Sequence, residues 1–202
     1  MRRFASIALV AAIAPVPAIA QYVSDAEPFL NAVRERDGDK ATQLLDSRPS
    51  VVNTRNAKGE TALNIVIARS DDTWMRFLLG KGADPNLPAS NGDTPLITAA
   101  RTGFIPAVEV LLALRAKVDS PNKMGETPLI VAVQQREIDA VKLLLAAGAN
   151  PDRPDSAAGY SARDYAKRDS RNPQLLAAIE ASKAKPAAAK SNDLDSFTLK
   201  PQ

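Results

Sequence analysis

The 202-residue sequence contains no histidine and no cysteine. Without histidine, the commonest general base and the commonest metal ligand are missing. Without cysteine there is no disulfide, no thiolate nucleophile and no Cys/His zinc site. Ser-His-Asp triads, Cys-His dyads and His-ligated metal enzymes are therefore excluded. Only carboxylate, Lys, Tyr or Ser chemistry is left. Aromatics are also scarce, at 4%. What is abundant is Ala and Leu, within a hydrophobic fraction of 45%. That mixture provides for a real core in thin helical layers rather than in a sheet sandwich. The length is that of one domain with extra segments at its ends.

The first twenty residues read as an address. Met1-Arg2-Arg3 is a short positive start, and Ile7 to Ile19 is apolar but interrupted by Pro15 and Pro17. Ala18-Ile19-Ala20 fits a small-x-small cleavage site ahead of Gln21. This three-part layout predicts a secretory signal peptide over 1–20. The run is too short and too broken for a membrane span. The residues around Arg2-Arg3 do not complete a twin-arginine motif, so the general secretory route is expected. Cleavage would leave 24 basic against 23 acidic side chains, so the formal charge falls from +3 to +1. The electrostatic case for nucleic acid or anionic lipid largely goes with it. An exported chain without disulfides suits a bacterial periplasm.

A period of 33 residues organises the middle of the chain. Gly59-Glu60-Thr61-Ala62-Leu63, Gly92-Asp93-Thr94-Pro95-Leu96 and Gly125-Glu126-Thr127-Pro128-Leu129 follow at that step, with a weaker copy at Gly159-Tyr160-Ser161-Ala162. Leu78-Leu79, Leu111-Leu112 and Leu144-Leu145 keep it, as do Asn53, Asn86, Asp119 and Asp152. Each landmark has a physical task. The Thr caps a helix whose first turn tolerates Pro95 or Pro128, because no amide hydrogen is needed there. A break follows, where Gly103 takes a positive φ at low cost. A second helix carries Val108, Leu111 and Leu112, then Val141, Leu144 and Leu145, at helical spacing. Gly82 and Gly148 end it, and the Asp/Asn-Pro-Asn/Asp stretches turn the chain into an extended finger.

Helix, turn, helix and projecting loop, with Thr-Pro-Leu, Leu-Leu and Gly-Ala-Asp/Asn-Pro, closely resemble the ankyrin repeat. The resemblance covers residues 24–182 and implies an all-α solenoid of about five units. Three are clear, and two, Ser24 to Thr54 and Ser156 to Ser182, are caps. Residues 183–202, rich in Ala, Lys and Pro, are expected to be a disordered tail. Some residues depart from the family pattern. Asn64, Ile97 and Ile130 stand where a loop-tying His is common. Ser70 and Arg136 replace the glycine seen at Gly103, and Arg115 replaces that at Gly82 and Gly148. Each is expected to cost up to about 1 kcal/mol where the backbone needs a positive φ. Trp74 is expected to fill a gap between layers. The Gly38-Asp39 turn sits closer to its Leu pair than the inner turns do. Tyr160, Arg163 and Asp164 are expected to make the last unit polar for solubility.

In the resembling family the concave face, built from loop tips and first helices, binds other proteins. The period carries that face onto Lys58, Glu60, Asn91, Asp93, Lys123, Met124, Glu126 and Tyr160 at the loop tips. It adds Arg69, Arg101, Gln134, Gln135 and Arg168 at the helix ends. An acidic row (Glu60, Asp93, Glu126) and a basic row (Arg69, Arg101, Arg168) would orient a partner. The competing account is ordinary solvated surface charge. Met124 and Tyr160 are the expected apolar anchors. A carboxylate enzyme would need a cleft with two carboxyls held apart, which loop tips on an open stack do not form. No loop has EF-hand spacing. The expectation is a monomeric, non-catalytic adaptor with no cofactor and no metal, binding another protein and no nucleic acid. The alternative is an envelope-associated structural protein, touching membrane or cell wall through its basic tail alone.

Overall fold

The computed structural model of the chain describes the backbone of residues 18–184 and the side chains of 26–182. The expected signal peptide and the expected tail therefore lie almost wholly outside the described residues. Among those residues there are ten α-helices and no strand. They pair in sequence as α1 (Ala18–Glu35) with α2 (Gly38–Ser47), α3 (Ala62–Ala68) with α4 (Asp72–Gly80), and α5 (Pro95–Thr102) with α6 (Ile105–Ala113). The last pairs are α7 (Pro128–Gln135) with α8 (Ile138–Ala146) and α9 (Ala162–Arg168) with α10 (Pro173–Ala184). A short 3-10 helix, Pro49–Asn53, follows α2. The odd-numbered helices pack against one another in one layer, and α4, α6, α8 and α10 form a second. The result is the expected five-unit helical solenoid.

The helix starts follow from their caps. Thr61, Thr94 and Thr127 accept from the amides of Asn64, Ile97 and Ile130, and Ser161 forms a full capping box with Asp164. Each such bond is worth about 1 kcal/mol. Pro95 and Pro128 occupy the first turn, where no donor is lost. The second helices end in paired bonds: Gly82 N–H donates to Leu79 O and Ala83 N–H to Leu78 O. The same pairs recur from Arg115 and Ala116 to Leu112 and Leu111, and from Gly148 and Ala149 to Leu145 and Leu144. This is the Schellman arrangement, which needs a left-handed residue. Arg115 therefore sits at φ 58°, while Ser70 and Arg136 sit at 57° and 65° at the other turn. The strain expected at all three positions is present.

One continuous core runs from Phe29 in α1 to Ile179 in α10. Trp74 is buried in it and meets the Phe77 ring edge-on at 5.3 Å, filling space between layers as expected.

The first helix begins at Ala18. Two expectations at the ends are corrected. The first unit's turn lies at Arg36-Asp37, not Gly38-Asp39: Arg36 takes φ 60° and Asp37 caps α2 by accepting from Lys40 N. The step from Arg36 to Leu44 then equals that from Gly103 to Leu111, so no residue is missing. Arg163 is not part of a polar outer face. It is buried and pairs with Asp152 at 2.6 Å and with Glu180 on α10. A buried guanidinium needs such carboxylates, and here they clip the last helix pair to the preceding loop.

Candidate protein-interaction face

Each loop between repeats turns back on itself before the next first helix. Asn56 N–H donates to Glu60 O, Ala89 N–H to Asp93 O, Asn122 N–H to Glu126 O and Asp155 N–H to Tyr160 O. The turns are tied internally by side chains. Asn56 Oδ1 accepts from the amides of Lys58 and Glu60, and Asn122 Oδ1 from those of Met124 and Glu126. Asp155 Oδ1 accepts from Ala157, Ala158 and Gly159. Short Asn and Asp side chains favour such turns because they bond backbone a few residues on.

Neighbouring fingers are also tied to one another. Ser90 N–H donates to Gly59 O, Lys123 N–H to Asn91 O and Ser156 N–H to Met124 O. The approach is close: a Cβ on Gly92 would stand 2.6 Å from Lys123 N, and one on Gly125 2.4 Å from Ser156 N. The absent histidine is partly replaced in one repeat, where Asn64 Nδ2 donates to Asp93 O at 3.0 Å. On the far edge, Asn53, Asn86 and Asp119 accept from the amides of Asp84, Lys117 and Asn150 in the following unit. That landmark is therefore a clamp between repeats and not only a turn signal.

The structure revises the two charge rows. Asp93 and Glu126 are buried, so they do not present a free acidic surface. Asp93 accepts from Arg101 at 3.1 and 3.2 Å, from Asn91 at 2.7 Å and from Asn122 at 2.9 Å. Glu126 accepts from Asn122 at 2.8 Å. Glu60 is half-buried and accepts from Arg34 at 2.5 Å and Asn56 at 2.7 Å. Two residues of the basic row, Arg101 and Arg69, are also engaged. Arg101 is bound to Asp93, and Arg69 pairs with Asp71 at 2.9 Å and donates to Arg34 O. Burying a charge costs far less when it is paired and hydrogen-bonded. Between the two rows Asp93 pairs with Arg101, while Glu60, Arg69 and Glu126 are engaged by Arg34, Asp71 and Asn122, and Arg168 lies over Tyr160.

The apolar anchors divide. Met124 is 50% exposed at a fingertip. Tyr160 is half-buried, edge-on to Tyr165 at 5.6 Å and under the Arg168 guanidinium at 4.4 Å. Lys58, Asn91, Lys123 and Gln135 are exposed, while Gln134 is half-buried.

The sequence reasoning missed a groove of about 400 Å³ between the fourth and fifth units. It is lined by Val133, Gln134, Arg136, Tyr165, Arg168, Asp169, Ser170 and Arg171. Arg136 Nε donates to Asp169 at 2.7 Å, and that hydrogen bond holds the Asp169 carboxyl below its ordinary value. The same bond raises the Arg136 guanidinium. Tyr165 donates to Asp155 at 2.6 Å, which raises its hydroxyl pKa, with burial acting in the same direction. The repeat step itself points to the pair, since Arg136 and Asp169 are 33 residues apart. Among the described residues no cluster of acidic side chains has the makings of a metal site, and no helix is long and apolar enough to cross a membrane.

A sequence family described as "Ankyrin repeats (3 copies)" matches residues 29–122 and 65–155, well over half the chain. The chain belongs to the ankyrin-repeat family. Ankyrin repeats generally mediate binding to other proteins, and the fold is typically a non-catalytic interaction module. A curated relative is the human (Homo sapiens) 2-5A-dependent ribonuclease, 35% identical over 83 residues. The match covers 41% of this chain and 11% of that protein, so the chain spans only about a tenth of the relative's length.

Proposed function

We propose that this ankyrin-repeat chain is a monomeric, non-catalytic adaptor that binds another protein outside the cytoplasm, in a bacterial periplasm. The observation that carries the reading is the row of mutually bonded fingers. They hold the exposed side chains of Lys58, Asn91, Lys123 and Met124 on a backbone fixed by its own hydrogen bonds. A preorganised surface loses little entropy when a partner docks. The basic start, apolar run and Ala18-Ile19-Ala20 site support export with cleavage before Gln21. Such cleavage would keep Ala26, Phe29, Leu30, Ala32 and Val33, which are buried among the described side chains of α1.

The test is affinity capture from the native envelope extract, with mass spectrometry of the retained proteins and N-terminal sequencing of the chain itself. One dominant partner, lost from a Lys58→Glu/Lys123→Glu/Met124→Ala variant that keeps its helical circular dichroism, supports the reading. Equal capture by that variant removes the finger face from it. A chain that still begins at Met1 removes the exported location.

A further inference from the structure

The groove between the fourth and fifth units has an unbalanced charge. Three guanidinium groups, Arg136, Arg168 and Arg171, share it with one carboxylate, Asp169. That carboxylate is already occupied: it accepts from Arg136 Nε at 2.7 Å, Arg171 N–H at 3.2 Å (through its other oxygen) and Asn172 Nδ2 at 3.3 Å. The Arg171 guanidinium has no hydrogen bond or ion pair among the described residues. Arg168 lies over the Tyr160 ring at 4.4 Å. Stacking uses the flat face of a guanidinium and leaves its in-plane N–H donors available. It also limits the side chain's freedom, so less entropy is lost when a ligand arrives. Val133, buried at the base, and half-buried Tyr165 provide an apolar floor, and Gln134 can bond a peptide backbone.

We propose that this groove takes an acidic, extended segment of the partner protein, with one of its carboxylates held by Arg168 and Arg171. The inference rests on the adaptor reading and names the chemistry the partner must carry. Planar, unspent guanidinium donors match a carboxylate in two-point geometry. The exposure of Arg136, Arg168, Ser170 and Arg171 suits a segment lying across the rim.

The test uses the full purified chain and two short fluorescein-labelled peptides, one alternating glutamate with leucine and one alternating glutamine with leucine. Anisotropy should show the glutamate peptide binding at least about tenfold tighter, as expected for a charge-assisted pair. That advantage should shrink as salt is raised. Arg168→Gln/Arg171→Gln should abolish it, and Arg115→Gln, on the other layer, should leave it intact. Equal binding of the two peptides overturns the proposal, as does undiminished binding in the double variant. Tighter peptide binding in Asp193→Asn/Asp195→Asn would assign the groove to the chain's own end and overturn the partner assignment. Should the native partner be captured equally by the wild type and the double variant, the adaptor reading stands and the groove assignment falls.

Discussion

Asn122 donates from Nδ2 to Asp93 Oδ1 at 2.9 Å, joining the fingers of the third and fourth units through two buried side chains. Asp93 also receives Asn91 and Arg101, so one carboxylate collects donors from two repeats. Removing it leaves the Asn122 amide buried without that acceptor. Asp93→Ala should therefore lower stability by about 2–3 kcal/mol, because orphaned buried donors carry the full desolvation cost. Arg101→Ala should cost about 1 kcal/mol or less, because its side chain is 36% exposed and reaches water. Urea unfolding followed by circular dichroism checks both. A stable Asp93→Ala protein that loses its partner would instead make Asp93 a contact residue.

Much of this was legible in the sequence, and the exceptions have a common cause. The Thr and Leu-Leu landmarks map onto caps and helix ends because those are local bonds: Thr94 to Ile97 N, Arg115 to Leu112 O. The site residues were harder to read because their environment is set by the following repeat at a different offset. Asp93 meets Asn122 29 residues on, and Asn53 meets Asp84 31 residues on. Comparing equal positions at a step of 33 cannot reveal either contact. A charged residue at a loop tip is solvated by default, and only the next finger's closure buries it. Arg163 was misread in the same way, since Glu180 on α10 covers it. The Arg36 turn was missed because Gly38 nearby is the residue that ordinarily takes a positive φ.

The finger glycines separate two costs. Gly92 sits at φ 85°, and a Cβ there would stand 2.6 Å from the backbone nitrogen of Lys123. Gly82 sits at φ 87° with no atom within 4 Å of its hypothetical Cβ. Gly82→Ala should cost about 1–2 kcal/mol, the left-handed penalty alone. Gly92→Ala should cost about 2–4 kcal/mol, since the finger contact must also open. In the opposite direction, Arg115→Gly should stabilise by about 0.5–1 kcal/mol: relief of strain at φ 58° exceeds the added unfolded-state entropy. Urea midpoints rank the three. Equal losses at Gly92 and Gly82 would mean that the fingers are not in contact in solution.

The pH dependence follows from the carboxylates. At Asp71, burial raises the carboxyl. The amide of Trp74, the hydrogen bond from Arg36 and the charges of Arg69 and Arg36 overcome it, leaving the pKa lowered. At Asp155, burial is likewise outweighed by the Tyr165 hydroxyl and the amides of Ala158, Gly159 and Ala157. A carboxyl whose folded value lies below its unfolded value, about 3.9, stabilises the fold above that value. The contribution is lost as pH falls through the lowered folded value. No histidine or cysteine side chain is present to titrate near neutrality. The urea midpoint should therefore stay flat between about pH 8 and pH 6 and fall below about pH 4. Asp71→Asn should lower the midpoint at pH 7 and shrink the acid decline, because its side chain can still cap α4 but carries no charge to lose. An acid decline of undiminished size in that variant would show that Asp71 does not contribute to it.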